Sequence, residues 1–273
     1  MASTSRQFSL TKSLRQSAAG QVVLSSSAAD ALRRSSVWEK VRDVRSRRSS
    51  AAVEVNPLER YFHANEKRLI HKWLHYFDIY HRHFARFRGK PVTIVEFGVS
   101  HGGSLQMWKE YFGPQARIIG VDINPKCAAV AEPQVEVVIG DQGDREFLRS
   151  LAAKVGRIDV LIEDGGHTVE QQIATFEEMW PSVVDGGVFL MEDLHTNYWE
   201  SHGGGLRREG TFIEYAKKLI DQQNAWHARN DDSFVVDDYS RSIRGIHVYD
   251  SIIVFDKARV AKPRTKKTGT PSF

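Results

Sequence analysis

The stretch Val92-Thr93-Ile94-Val95-Glu96-Phe97-Gly98-Val99-Ser100-His101-Gly102-Gly103-Ser104 sets the architecture. A β-branched run ends in an acid and a glycine, a glycine pair follows, and an amphipathic segment spans 104–112. That order reads as buried strand, tight turn and helix. The form recurs downstream. Strand-like runs at 116–123, 135–140, 158–163 and 187–191 end at Asp122, Asp141, Asp164 and Glu192-Asp193. Helical stretches at 144–155 and 169–183 separate them. Strands alternating with helices predict a mostly parallel sheet with right-handed crossovers. Two adjoining runs, 243–249 and 251–256, predict a C-terminal hairpin that adds an antiparallel edge strand. The expected fold is α/β, with seven strands and helices on both faces. No internal repeat is found.

Upstream, Leu69, Trp73, Phe77, Tyr80 and Phe84 recur at three- and four-residue spacing, which predicts one helix over 57–87. The same stretch holds His63, His71, His75, His81 and His83. No cysteine or acid cluster joins them, so surface or interface histidines explain them better than a metal site. Residues 1–55 are rich in Ser, Ala and Arg and are expected to be largely disordered, with room for a short helix at 28–44. Their composition also resembles an organelle transit peptide; Asp30, Glu39 and Asp43 count against it, so targeting stays open. Residues 257–273 read as a basic, loose tail, leaving 56–256 as the folded domain.

The chain carries a net charge of +4. The two flanks are each +6, so the body between them is −8. An acidic body argues against a nucleic-acid groove in the core. No apolar run reaches the roughly 20 residues of a membrane helix. The single cysteine, Cys127, leaves no internal disulfide and fits a reducing, cytoplasmic setting.

In open α/β sheets, ligands bind beyond the carboxyl ends of the strands, where five successive runs here place polar residues. The glycine spacing after Glu96 is Gly-x-x-x-Gly-Gly, not the Gly-x-Gly-x-x-Gly of dinucleotide binders, so the turn suits an amino-acid moiety better than a pyrophosphate. Asp122, at the next strand end, can accept from ribose hydroxyls. Asp141 and Gln142 are placed to reach an adenine edge. Together these describe an adenosine ligand with a non-phosphate tail. Asp164, Glu192 and Asp193 are hard oxygen ligands suited to Mg²⁺. His167, three residues beyond Asp164, suits a general base, with an ordinary pKa of about 6.5. Helix capping is the plainer account of such acids, but it explains one carboxylate per loop, not Glu192 beside Asp193. The segment 197–208, with Tyr198, Trp199 and His202, reads either as a lid over the site or as a surface loop.

These residues resemble a known group. The strand pattern, the turn from Gly98 to Ser104, Asp122 and Asp141 are similar to the Rossmann-like class I S-adenosylmethionine-dependent methyltransferases. More narrowly, Gly102-Gly103-Ser104-Leu105-Gln106-Met107-Trp108-Lys109, Gly140-Asp141-Gln142, Asp164-Gly165-Gly166-His167 and Glu192-Asp193-Leu194-His195-Thr196 resemble the metal-dependent macrolide-sugar O-methyltransferases of the mycinamicin and demethylmacrocin type. The resemblance implies S-adenosyl-L-methionine bound by Glu96, Gly98, Ser104, Asp122, Asp141 and Gln142. It implies Mg²⁺ on Asp164, Glu192 and Asp193, and His167 as catalytic base. The implied reaction is methyl transfer to a hydroxyl of a sugar or polyketide-like small molecule, with assembly into a homo-oligomer left open. The alternatives are a cephalosporin-hydroxylase-like enzyme on the same scaffold and a non-catalytic module that binds an adenosine ligand.

Overall fold

The structure, a computed structural model, describes residues 14–16, 22–24, 56–229 and 234–273. In the N-terminal segment, Leu14–Gln16 and Val22–Leu24 pair as short antiparallel strands. The expected disorder of the rest of 1–55 and the helix at 28–44 lie outside the described residues.

From residue 56 onward the chain builds a seven-stranded sheet. Its strands are β1 (Thr93–Phe97), β2 (Arg117–Asp122), β3 (Val135–Ile139), β4 (Ile158–Glu163), β5 (Val183–Met191), β6 (Ile243–Val248) and β7 (Ile253–Lys257). The order across the sheet is β3-β2-β1-β4-β5-β7-β6. The first five strands run parallel, and β7 is antiparallel to both neighbours. The antiparallel strand therefore lies inside the sheet, and β6 takes the edge the hairpin was expected to supply.

Period-two alternation builds a core on each face. Ile94, Val160, Ile162, Leu190 and Val254 face one layer with Phe77, Tyr80, Phe84, Trp108 and Phe112. Val95, Leu161, Phe189 and Phe255 face the other with Leu148, Phe176 and Phe212. The first layer holds α1 (Pro57–His63), α2 (Tyr76–Phe84) and α3 (Gly103–Phe112). The second holds α4 (Arg145–Val155), α5 (Val169–Met179) and α6 (Phe212–Asn224). A short α7 (Asp238–Ser242) leads into β6. Helix α5 stops before Pro181, and β5 starts at Val183, earlier than the run at 187–191 suggested. Asp185-Gly186 forms an irregularity there, where the register against β4 shifts between Ile158 and Val160.

The expected helix over 57–87 is two helices. Residues 64–75 between them have no regular helix. Asn65 breaks the run with its own side chain: it accepts from Lys67 N at 3.1 Å and donates to the Arg68 carbonyl at 2.8 Å, a local bonding pattern that competes with helix. Arg68 then reaches across to the Val130 carbonyl at 2.7 Å. The upper part of the apolar stripe consequently does not face the core: Leu69 and Trp73 are 63% and 54% exposed, while Phe77, Tyr80 and Phe84 are fully buried.

Buried His83 on α2 meets the Tyr249 hydroxyl at 2.9 Å through Nε2. Burial, then His247, hold its imidazole down to about 4, against the pull of Asp256. The unfolded chain protonates near 6.5 and the folded one only near 4, so stability drains as pH falls through that window. Thermal unfolding midpoints should decline between those two pH values, and His83→Gln should flatten that part of the profile.

Candidate active site

The reversal of strand order falls between β1 and β4, and the loops after these strands meet there. A Cβ on Gly98, whose φ is +89°, would strike the backbone carbonyl of Asp164. Only glycine permits that approach. On this edge lies a cavity of about 280 Å³ lined by Gly98, Asp122, Ile123, Asp141, Gln142 and Gly165, among others.

Each predicted cofactor residue has a defined place. Asp122 accepts from Val99 N at 2.9 Å, Ser100 N at 3.0 Å and Asn124 N at 2.9 Å. Burial opposes its ionisation, but these amides together hold the carboxyl below its usual range. It thus organises the turn after β1 from the end of β2. Asp141 lines the cavity and accepts from Gly143 N at 2.8 Å. Gln142 also lines it; its amide donates to Glu163 at 2.7 Å and accepts from Gly166 N at 3.1 Å. Glu96 and Ser104 lie beneath, outside the lining, bonded to each other at 2.7 Å. The second oxygen of Glu96 takes the Trp108 indole N–H at 2.9 Å. Burial pushes the Glu96 carboxyl up to about 7, although Lys72 pulls it down. Exposed Ile123 adds an apolar wall that the sequence motifs did not single out.

Beside the cavity, Asp164, His167 and Asp193 each offer one ligand atom within 4.8 Å of the others. His167 Nε2 lies 3.4 Å from Asp193 Oδ2 and 3.8 Å from Asp164 Oδ1. Glu192, predicted to stand with them, is fully buried and joins Asp164 through a cation instead. Lys72 Nζ bonds Asp164 Oδ2 and meets Glu192 Oε2 at 2.9 Å, with Glu96 at 3.9 Å. Burial alone would lower the Lys72 pKa, but the three carboxylates outweigh it and hold the ammonium charged. Burial, then the Asp164 charge, raise Glu192 well above the carboxylate range.

None of these acids caps a helix through its side chain. Thr168 caps α5 in a capping box with Gln171, and Asp193 makes no side-chain cap. The capping account therefore fails here. Glu192 Oε1 is buried without a hydrogen-bond partner among the described residues. An unpaired buried carboxylate oxygen is costly. Asp164 and Asp193, whose free oxygens meet near His167, are hard-oxygen ligands that fit a divalent cation, and Glu192 reaches that group through Lys72.

Two site residues adopt left-handed backbone, His167 at φ +55° and Asp193 at φ +53°. Such conformations cost on the order of 1–3 kcal/mol each. The Thr196 hydroxyl secures both, shared between the His167 and Asp193 carbonyls at 2.9 Å each.

Residues 95–194 match the family model described as a methyltransferase domain. The chain is 36% identical over 207 residues to the 8-demethyl-8-(2-methoxy-alpha-L-rhamnosyl)-tetracenomycin-C 3'-O-methyltransferase of Streptomyces olivaceus, covering 72% of this chain and 52% of the relative. It is 35% identical over 198 residues to the mycinamicin VI 2''-O-methyltransferase of Micromonospora griseorubida, covering 68% of this chain and 49% of the relative. Among solved structures, MycE methyltransferase from the mycinamycin biosynthetic pathway, in complex with Mg and SAH, superposes with a TM-score of 0.66. The match is 33% identical and covers 75% of this chain and 54% of that one. The chain thus spans about half the length of the curated relatives it matches.

Thr196→Val should leave the His167 and Asp193 carbonyls without their shared donor. A loss of about 1–3 kcal/mol in urea unfolding is expected, whereas an unchanged midpoint would show that the hydroxyl does not secure these turns.

Proposed function

We propose that this chain, whose residues 95–194 form a methyltransferase domain resembling that of the macrolide-sugar O-methyltransferases, moves the methyl group of S-adenosylmethionine to a hydroxyl of a sugar or polyketide-like small molecule. The observation that carries the reading is the meeting of Asp164, His167 and Asp193 beside the cavity at the strand switch.

In this reading the cofactor lies along the carboxyl ends of β1, β2 and β3. Asp122 and Asp141 serve the ribose and adenine polar atoms, Ile123 offers the adenine an apolar face, and Gln142 closes the floor. Gly98 leaves room for the methionine moiety, above Glu96 and Ser104. The chain's own residues then handle the acceptor. Its hydroxyl gives a proton to His167 Nε2, and its oxygen bonds the methyl carbon as the carbon–sulfur bond breaks and the electron pair returns to sulfur. Orientation of the two reactants supplies much of the acceleration. Mg²⁺, held by Asp164, Asp193 and Glu192, would supply the positive charge that lowers the pKa of a nearby hydroxyl. A relative in complex with Mg and SAH supports both ligands.

An aromatic cluster next to Asp193, with His195 Nδ1 3.9 Å from Asp193 Oδ1, supports a ring-bearing acceptor. Trp73 lies 6.0 Å from the His195 ring, which lies 4.9 Å from Trp199. Both tryptophans are about half exposed. Aromatic faces of this kind suit the apolar face of a sugar or macrocycle. Trp199 belongs to the segment the sequence offered as a lid; Trp73 comes from the break between α1 and α2.

Titration calorimetry should detect S-adenosylmethionine binding that Asp122→Ala weakens at least tenfold. His167→Ala should leave that binding intact and lower kcat for labelled methyl transfer by about 10²–10⁴-fold. Wild-type protein that binds no S-adenosylmethionine would overturn the reading. Binding without methyl transfer to any sugar or phenol acceptor would return it to a hydroxylase-like or non-catalytic module.

A further inference from the structure

We infer that Lys72 is a specificity-determining residue of the cation site: by occupying the rear oxygens of Asp164 and Glu192 it restricts each to one-oxygen ligation and so favours a small octahedral cation over calcium. The inference rests on the proposed metal dependence.

Every carboxylate attributed to the site has one oxygen already engaged. Asp164 Oδ2 and Glu192 Oε2 are both held by Lys72 Nζ. Asp193 Oδ1 accepts from the Tyr76 hydroxyl at 2.6 Å. The other oxygen of each is free of such a donor. Among the described residues, Asp164 Oδ1 and Asp193 Oδ2 face His167, at 3.8 and 3.4 Å, and Glu192 Oε1 makes no hydrogen bond of normal geometry, with the Tyr80 hydroxyl a neighbouring donor to this carboxylate. The division is consistent across three side chains from two strand ends. Both donors come from one short piece of chain, the end of the 64–75 break and the first residue of α2.

Lys72 cannot easily leave. Its side chain is only 3% exposed, the ammonium lies 5.8 Å from the centre of the buried Tyr80 ring, and three carboxylates hold it. The segment before it is pressed against the start of α3, where the Arg68 and Leu69 carbonyls stand in the place a Cβ of Gly103 would need.

Calcium takes 6–8 oxygens and commonly chelates a carboxylate through both, whereas magnesium requires near-octahedral geometry and is served by single oxygens plus water. A fixed ammonium on the rear oxygens removes the two-oxygen mode at Asp164 and Glu192 and leaves the one-oxygen mode open. The same positive charge offsets part of the carboxylates' repulsion, so the cluster stays assembled around a site of modest net charge.

The test is calorimetric titration of MgCl₂ and CaCl₂ into the full chain, wild type against Lys72→Met, with manganese spectra as a second readout of occupancy. Wild type should prefer magnesium and manganese, and Lys72→Met should shift the calcium-to-magnesium affinity ratio towards calcium at least tenfold. Lys72→Arg, which can still fork across both carboxylates, should stay near wild type. If both cations bind Lys72→Met more tightly by the same factor, Lys72 is merely a competing charge and the inference falls. Should Lys72→Met fail to fold, the wild type carries the test: calcium bound more tightly than magnesium there overturns the inference. Wild type that binds no divalent cation fails differently, because it removes the metal reading itself.

Discussion

Carboxylates brought together in a nearly dry pocket repel one another, and this pocket holds Glu96, Asp164 and Glu192 around a single ammonium. Without Lys72 the cluster would carry uncompensated buried charge, one of the most expensive arrangements a protein interior can contain. Much of the surrounding architecture follows from that need. The chain breaks its first helix to bring Lys72 in. Gly103 lacks a side chain so that the incoming backbone can lie on α3, and Tyr76 begins the next helix where its hydroxyl meets Asp193. The sheet contributes the acids and the break at 64–75 contributes the counterion, so neither makes a stable site alone.

The two faces of the sheet divide the labour. The aromatic layer formed by Tyr80, Phe84, Trp108 and Phe112 packs behind the charged cluster and excludes water from it. Low polarity there is what drives Glu96 and Glu192 upward. The opposite layer anchors α4, α5 and α6, and through Asn197, which donates to buried Gln172 at 2.7 Å and accepts from Ile213 N at 3.2 Å, it ties the segment after β5 to both α5 and α6. The loop that carries Trp199 is therefore rooted in polar contacts below while its aromatic surface faces outward.

The five parallel strands were legible because each is a short β-branched run with an acid at its carboxyl end, and those acids mark the functional edge whatever the exact boundaries. Asp164, His167 and Asp193 could be grouped from spacing, since parallel neighbouring strands place their ends side by side. Lys72 could not. It is one lysine in a stretch whose apolar spacing reads equally well as continuous helix, and its partners lie 92 and 120 residues away. The signal that was present is Asn65, whose side chain competes for backbone groups and argues for a stop. Pairing of Glu96 with Ser104 and Trp108 was likewise hidden: a motif shows which residues accompany a turn, but not which of them are consumed in supporting it. The left-handed turns at His167 and Asp193 leave no mark either, because neither residue is glycine.

The place of β7 bears on how this chain comes to fold. The last strand of the sheet does not close its margin but slots between β5 and β6. Until residues 253–257 are available, Val188, Phe189, Leu190 and Met191 present an unpaired apolar edge, which is a template for wrong associations. Contacts this distant along the chain slow folding. The strand that leads to Glu192 thus receives its second neighbour only once residues 253–257 have been made, so the growing chain carries an unfinished, adhesive sheet until then, a stage at which chaperone capture would be most useful.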